Sequence, residues 1–348
     1  MKVLVVQTGF LGDVILSTPV LTNLKRIFPA AEISVMTTPE ARTLVQYHPA
    51  VSQVIVFDKR GADRGFTGML RLAEKLREEN FSIVLSLHKS ARTSVLLRLA
   101  RIPERYGFRE AALAFLYTKT VRRKHLAHEA ERNLVILQAL GAKLSELDPR
   151  LSLGLPAEAH QDAEEALGSF QSGRIIGIAP GSVWATKRWT ASGFAAVADE
   201  LIEMGYRIVL LGGPKDKDMG DDVERLMAGA PLNLIGKASL LSSAAVIARL
   251  TLLVTNDSAP LHIASAMGTP VVAVFCATIP EFGFGPWLVP SETVGVLGLT
   301  CRPCGRHGGE NCPTGTHACQ LKLKPELTMD AVERVLKKNA AQFAVQHA

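Results

Sequence analysis

Apolar residues along the chain follow two alternating patterns. Short β-branched runs at 3–6, 33–36, 54–57 and 83–87 are bounded by polar or turn residues and predict buried strands. Between them, 14–27 and 69–79 repeat apolar positions at helical spacing. A further helix over 129–140 stops at Gly141, which tolerates the positive φ of a helix end. Strand–helix alternation implies parallel pairing with helices on both faces. The stretch 148–156, with Pro149, Gly154 and Pro156, reads as a linker, and a helix-like run over 157–167 follows it. The alternation then restarts, with strands at 175–179, 208–211, 252–255 and 271–275 and helices at 191–204, 218–227, 242–250 and 261–267. Two such modules predict an α/β protein with a cleft between them, ligands binding at strand C-terminal ends. The expected domains are 1–155 and 156–324, with a last helix in 325–348 that returns to pack on the first domain.

Composition adds scale and charge. The 348 residues suffice for two domains, and 47% hydrophobic against 21% charged residues excludes a disordered chain. No apolar run reaches bilayer length. The opening MKVLVVQTGFLGDVIL carries Gln7 and Asp13 and no clean small-residue cleavage site, so it reads as strand into helix and the protein as cytoplasmic. The net charge of +6 is uneven: residues 1–150 hold 23 Lys and Arg against 14 Asp and Glu, a balance of +9, and the remainder carries −3. That asymmetry suggests two surfaces with different partners, the first one anionic. Lys119, Arg122, Arg123 and Lys124 repel one another unless an anion approaches, although a solvated helix face is the simpler account of any single cation. Few aromatics interleave the basic residues, which ranks nucleic acid last among partners.

Three turns carry candidate chemistry. The first strand leads into Gly9-Phe10-Leu11-Gly12-Asp13, which lacks the three glycines of a dinucleotide fingerprint. Asp13 would repel a pyrophosphate there, so it reads either as a general base or as a helix-start residue favoured by capping and the dipole. The strand 175–179 leads into Pro180-Gly181-Ser182 and then Lys187-Arg188-Trp189, where small residues expose amides and a cation can reach phosphate. The strand 252–255 leads into Asn256-Asp257-Ser258-Ala259-Pro260, with His262 one turn later. One of the three polar residues can cap that helix, whose N-terminus suits an anion.

Gly12-Asp13-Val14, Lys187-Arg188-Trp189 and Asn256-Asp257-Ser258 with His262 together resemble the bacterial ADP-heptose:lipopolysaccharide heptosyltransferases of glycosyltransferase family 9, over nearly the whole chain. The resemblance implies a GT-B fold and inverting, metal-independent transfer of heptose from ADP-L-glycero-β-D-manno-heptose to the lipopolysaccharide inner core. It makes Asp13 the general base and sets Lys187 on the donor phosphates with Ser182 beside them. Asp216 falls at the ribose contact, Ala238 at adenine, and Asp257, Ser258, Ala259 and His262 at the diphosphate and sugar. Arg109 and the pair His128 and Arg132 resemble acceptor positions, and the basic Arg122, Arg123 and Lys124 join them on charge. Ala259 stands where the family commonly has glycine. Gln7 replaces a lysine of the enzymes that add the first heptose, which leans the likeness toward heptosyltransferase II. The implied acceptor is based on Kdo-lipid A, and the implied location is peripheral, on the anionic inner face of the inner membrane. No cofactor is required for the chemistry.

Cys301, Cys304, Cys312 and Cys319 suit tetrahedral structural zinc, although the second pair is not C-x2-C; reduced thiols and a disulfide pair are the other readings. Cys276 reads as a buried small hydrophobe. Two alternatives to the heptosyltransferase reading stand: another GT-B transferase with a different nucleotide sugar or core position, or a nucleotide-sugar-binding protein without catalysis. Asp13 discriminates against the last, since a pure binder has no use for it.

Overall fold

The computed structural model describes residues 1–123, 128–172 and 174–346. They fall into two α/β units, Met1–Gly154 and Leu155–Ala348. In the first, β1 (Lys2–Val6), β2 (Glu32–Thr37), β3 (Gln53–Val56), β4 (Ile83–Ser86), β5 (Glu104–Phe108) and β6 (Lys119–Val121) form a parallel sheet in the order β3-β2-β1-β4-β5-β6. In the second, β7 (Ile175–Ala179), β8 (Arg207–Leu210), β9 (Leu232–Asn233), β10 (Leu252–Asn256), β11 (Val271–Val274) and β12 (Ser291–Val294) form a parallel sheet in the order β12-β11-β10-β7-β8-β9. The first sheet runs three, two, one, four, five, six, and the second, counted from its own first strand β7, has the same order; both are doubly wound in the Rossmann manner. Chain direction across the sheet reverses between β1 and β4 in one unit and between β7 and β10 in the other. Ligands of such sheets sit at that point, beyond the strand C-termini.

Apart from the edge strand β3, the strands that pattern analysis found are internal to their sheets. Val3–Val6 of β1 and all of β7 and β10 are buried, so their sequences are continuous apolar runs. Strands β5, β6, β9 and β12 were not foreseen; the last three are sheet edges whose KTV, LN and SETV carry no apolar run, and the internal β5, ERYGF, interrupts its apolar residues with charge and glycine. The helix expected over 14–27 is two helices, Leu11–Ile15 and Thr18–Ile27. Pro19 has no N–H to continue a helix and sits at the start of the second one, while the Ser17 and Thr18 hydroxyls bond back to the carbonyls of Val14 and Ile15. Gly141 ends its helical segment at φ +87°, as expected.

Each unit has its own core. Leu4, Val6, Met36 and Val84 meet Met69, Leu72, Ala73 and Leu76 of the helix Gly65–Glu78 in the first. In the second, Ile176, Ile178, Val254 and Val272 pack around Trp189, whose ring meets Phe194 edge-on at 5.1 Å. The last helix, Pro325–Gln346, was expected on the first domain. Its apolar side (Met329, Ala331, Val332 and Val335) is instead packed in the second unit's own core. No described helix is long and apolar enough to cross a membrane.

Candidate active site

In the second unit, β7 and β10 are paired through Ala179 and Thr255, so the loops after them leave the sheet side by side. Asn256 ties them together. Its amide donates to the Pro180 carbonyl (2.6 Å), and its carbonyl accepts the Trp189 N–H (3.0 Å). Trp189 in turn is fixed by burial and by its indole N–H on the Leu323 carbonyl (3.2 Å). These contacts hold the short turn Ala185–Lys187 so that Lys187 Nζ reaches Asp257 Oδ2 at 2.7 Å. The same oxygen accepts the Thr278 hydroxyl at 2.6 Å, and Asp257 is only 5% exposed.

The helix Ala259–Met267 starts beside this pair. Ser258 occupies the N-cap, but its side chain makes no capping hydrogen bond; its hydroxyl donates to the Asn256 carbonyl at 3.4 Å. Ala259 opens the helix and His262 is buried one turn in. Ser182 is buried, with its carbonyl taking Arg188 Nε at 2.8 Å. Asp216 accepts the Gly213 N–H at 2.9 Å, and a Cβ on Gly181 would stand 2.2 Å from its carboxyl carbon, so the bare Gly181 lets this carboxylate lie against the loop after β7. Ala238 lies half-buried in the turn that precedes the helix Leu240–Ile247. The residues expected on the donor, from 182 to 262, therefore follow β7, β8, β9 and β10 at the C-terminal edge of one sheet, on loops and on the first turn of the helix Ala259–Met267.

In the first unit, Asp13 follows β1 at the corresponding switch point. Its Oδ2 accepts the Phe10 N–H at 2.9 Å, and Gly9 leaves room for it, since a Cβ there would be 2.5 Å from that oxygen. Beside it lies a basic group that pattern reading missed. Lys59, just after β3, donates to both the carbonyl (3.1 Å) and hydroxyl (2.8 Å) of Thr8. Lys59 and Arg92 both lie over the Phe57 ring, at 5.4 and 5.2 Å from its centroid. Burial, then the Arg92 charge, pulls the Lys59 pKa down to about 8, and His88 falls to about 4 through burial and the Lys59 and Lys89 charges. Crowded cations at a strand C-terminal edge make an anion seat. The signal available in the sequence was a lysine two residues beyond the apolar run 54–57.

The expected acceptor residues divide. Arg109 and Arg122 lie after β5 and β6, and both are exposed. Arg123 and Arg132 are buried, and both guanidinium groups pair with Glu129, Arg132 at 3.4 Å; Arg123 also stacks on Phe108 at 5.4 Å. Neither meets a passing acceptor, because leaving Glu129 would strand a buried carboxylate. His128 is the N-cap of the helix Glu129–Leu134, its Nδ1 accepting the Ala130 N–H at 3.3 Å. Lys124 lies outside the described residues.

All five cysteines are free thiols, and among the described residues no three His, Cys, Asp or Glu side chains are placed to hold a metal ion. Cys276 is buried and burial pushes its thiol up, as a small hydrophobe would be. The segment around the other four grips the Lys187 turn: the Thr186 N–H and hydroxyl donate to the Gly309 carbonyl at 3.0 and 2.9 Å, and Gln320 donates to the Ala185 carbonyl at 2.9 Å.

Two Rossmann-like units, each with a switch point beyond its strand C-termini, are the architecture of the GT-B glycosyltransferases. The sequence profile of Glycosyltransferase family 9 (heptosyltransferase) matches residues 69–313. Lipopolysaccharide heptosyltransferase 3 of Escherichia coli is 29% identical over 289 residues, covering 79% of this chain and 82% of that one. Lipooligosaccharide heptosyltransferase 2 of Haemophilus influenzae is 26% identical, covering 97% of this chain and all of that one. The solved family 9 glycosyltransferase of Veillonella parvula superposes with a TM-score of 0.86 at 28% identity, 97% of each chain being covered. The chain belongs to glycosyltransferase family 9.

Proposed function

We propose that this enzyme transfers heptose from ADP-L-glycero-β-D-manno-heptose to the inner core of lipopolysaccharide, in the manner of heptosyltransferase II. The observation that carries the reading is the Lys187–Asp257 pair beside the N-terminus of the helix Ala259–Met267. A lysine, a helix dipole and a loop of small residues together suit a diphosphate. On this reading Asp13 takes the proton of the acceptor hydroxyl as its oxygen attacks the anomeric carbon. The bond from that carbon to the β-phosphate oxygen breaks, and ADP leaves with its growing charge met by Lys187 and the helix N-terminus. Asp216 takes the ribose, Ala238 borders adenine, and Ser182, Ser258, Ala259 and His262 line the diphosphate and heptose. Asp257 acts by holding Lys187, and Thr278 by holding Asp257.

The acceptor is a Kdo-lipid A glycan whose carboxylates and phosphates meet the cations of the first unit, with Arg109, Lys59 and Arg92 foremost. Such an acceptor places the enzyme at the cytoplasmic face of the inner membrane. The test is transfer of heptose from ADP-heptose to defined truncated cores. Turnover on a core that already bears one heptose, with none on the heptose-free core, supports the second-heptose assignment. Preference for a core bearing two heptoses would replace it with the third-heptose one, and turnover only with another nucleotide sugar would remove the donor assignment.

A further inference from the structure

Lys187 belongs to a three-residue turn, Ala185–Lys187, too short to hold a long side chain by itself. The chain from Gly308 to Gln320 wraps this turn at three places. Gly308 lies against the lysine stem, at φ +75° and with room for no side chain, since a Cβ there would stand 3.0 Å from Lys187 Cγ. Gly309 closes a reciprocal pair with Thr186: its N–H donates to the Thr186 hydroxyl at 2.8 Å, and its carbonyl takes the Thr186 N–H. Gln320 makes the third contact. Its side-chain amide donates to the carbonyls of Ala185 at 2.9 Å and Arg188 at 2.5 Å, one on each side of Lys187. Both partners only accept, so the amide nitrogen faces them and spends both of its hydrogens. The Gln320 Oε1 is then left for His317 Nδ1, 2.6 Å away, and that nitrogen must carry the proton. His317 makes this contact from φ +50°, a left-handed conformation that costs a histidine energy. Cys319, the residue before Gln320, is buried in the second unit's core and roots the glutamine there.

We infer that Gln320 is a positioning residue for Lys187, fixing the turn that aims the ammonium group at the donor diphosphate, and that His317 fixes Gln320. The inference rests on the phosphate role proposed for Lys187. Asp257 holds only the tip of that side chain, at 2.7 Å. A flexible four-carbon stem leaves such a tip many ways to be reached, and ordering it costs entropy at the moment of reaction unless the fold has ordered it already. Gly308 confines the stem, and Gln320 fixes the backbone from which the stem departs. The charge is thereby placed in advance of the leaving group, which is where a supporting shell contributes to rate.

The experiment combines lysine labelling with kinetics in the full chain. Brief treatment with acetic anhydride, read peptide by peptide in a mass spectrometer, reports the access of each lysine, with Lys217 and Lys237 as internal standards. Gln320→Leu should raise labelling of Lys187 by roughly fivefold or more against those standards, because the turn then opens locally. Its turnover should fall by roughly ten- to hundredfold, the scale of a small misplacement at a reacting centre, with ADP affinity reduced and acceptor KM unmoved. In a Lys187→Ala background the same substitution should cost less than about twofold, since the residue it acts through is gone. His317→Gly guards against loss of fold: glycine accepts φ +50° freely, so the thermal midpoint should hold while Lys187 labelling still rises. Wild-type labelling of Lys187 in both Gln320→Leu and His317→Gly overturns the inference. So does an undiminished loss of turnover in the Lys187→Ala background, which would show Gln320 acting elsewhere. Labelling is read without turnover and keeps the two readings apart. Raised labelling with wild-type ADP affinity and turnover would leave the positioning standing and overturn the phosphate role of Lys187.

Discussion

Lys187 Nζ lies 2.7 Å from Asp257 Oδ2, joining the loop after β7 to the loop after β10 through two largely buried side chains. The cation is thus in position before any ligand arrives, and a diphosphate entering at the helix start must share it with a carboxylate. Pre-positioned charge costs little reorganisation when the leaving group's charge grows.

Removing that lysine should damage both fold and function. Lys187→Ala leaves Asp257 buried with only the Thr278 hydroxyl, and breaking a buried pair costs about 3–5 kcal/mol. The thermal midpoint should fall, ADP binding weaken and turnover drop. Lys187→Ala/Asp257→Asn should regain much of the stability and none of the turnover. Calorimetric ADP titration with thermal melts separates the two effects, and a wild-type midpoint and ADP affinity in the single variant would place Lys187 among ordinary lysines.

Gly181 offers a test that touches no charged group. An added methyl would lie 2.2 Å from the Asp216 carboxyl carbon, and that short side chain is held by the Gly213 N–H. Gly181→Ala should therefore displace Asp216 and raise the donor KM by roughly tenfold, about one hydrogen bond to a charged group. The acceptor KM should not move. Unchanged donor KM would mean that Asp216 does not contact the donor.

How much of this was legible depended on burial. β1, β7 and β10 are buried throughout or nearly so and announce themselves as apolar runs, and the turns after them hold Asp13, Lys187 and Asp257. The edge strands β6, β9 and β12 bury little and gave no signal, and the internal β5 was missed because ERYGF breaks its apolar residues with charge and glycine. Charge was the least legible quantity, because a sequence does not say which cations are already partnered. Arg123 and Arg132 look like surface charge in the chain and are buried on Glu129 in the fold. Lys59 and Arg92 are far apart in the chain, and only the folding of β3 and β4 into one sheet sets both on Phe57. Thr278 was invisible for the same reason: its partner is 21 residues away on the neighbouring strand's loop.

Acid should weaken the first unit through His48. This ring is buried, its Nδ1 accepts the Ala50 N–H at 3.1 Å, and its Nε2 is 2.8 Å from the Ser152 hydroxyl. Protonating Nδ1 would abolish the first bond, and burial holds the folded pKa at about 4 against 6.5 for the free side chain. Between those values the unfolded chain binds the extra proton, so stability is full above about pH 6.5 and is lost as pH falls toward 4. The loss reaches roughly 3 kcal/mol if the whole shift is realised. Urea unfolding from about pH 7 to about pH 4.5, the window set by that linkage, should show the decline, and His48→Gln should flatten it. An equally steep decline in that variant would assign it to other groups such as His88.

Asp13 is the residue for which structure and mechanism make different demands, and one substitution separates them. Its Oδ2 accepts the Phe10 N–H, the bond expected of an acid near a helix start. In Asp13→Asn the new side chain keeps an amide oxygen for that N–H and loses the ability to accept a proton from a hydroxyl. If capping were the whole role, Asp13→Asn would be near wild type in both stability and turnover. As the general base, its loss should cost about 10²–10⁴ in turnover, with the thermal midpoint and ADP affinity held. Gly9→Ala supplies the geometric counterpart, because its methyl would sit 2.5 Å from Oδ2 and push the carboxylate aside without changing its charge. That variant should bind ADP normally and turn over at a rate between wild type and Asp13→Asn. Full activity in Asp13→Asn would remove Asp13 from the chemistry and leave it a helix-start residue.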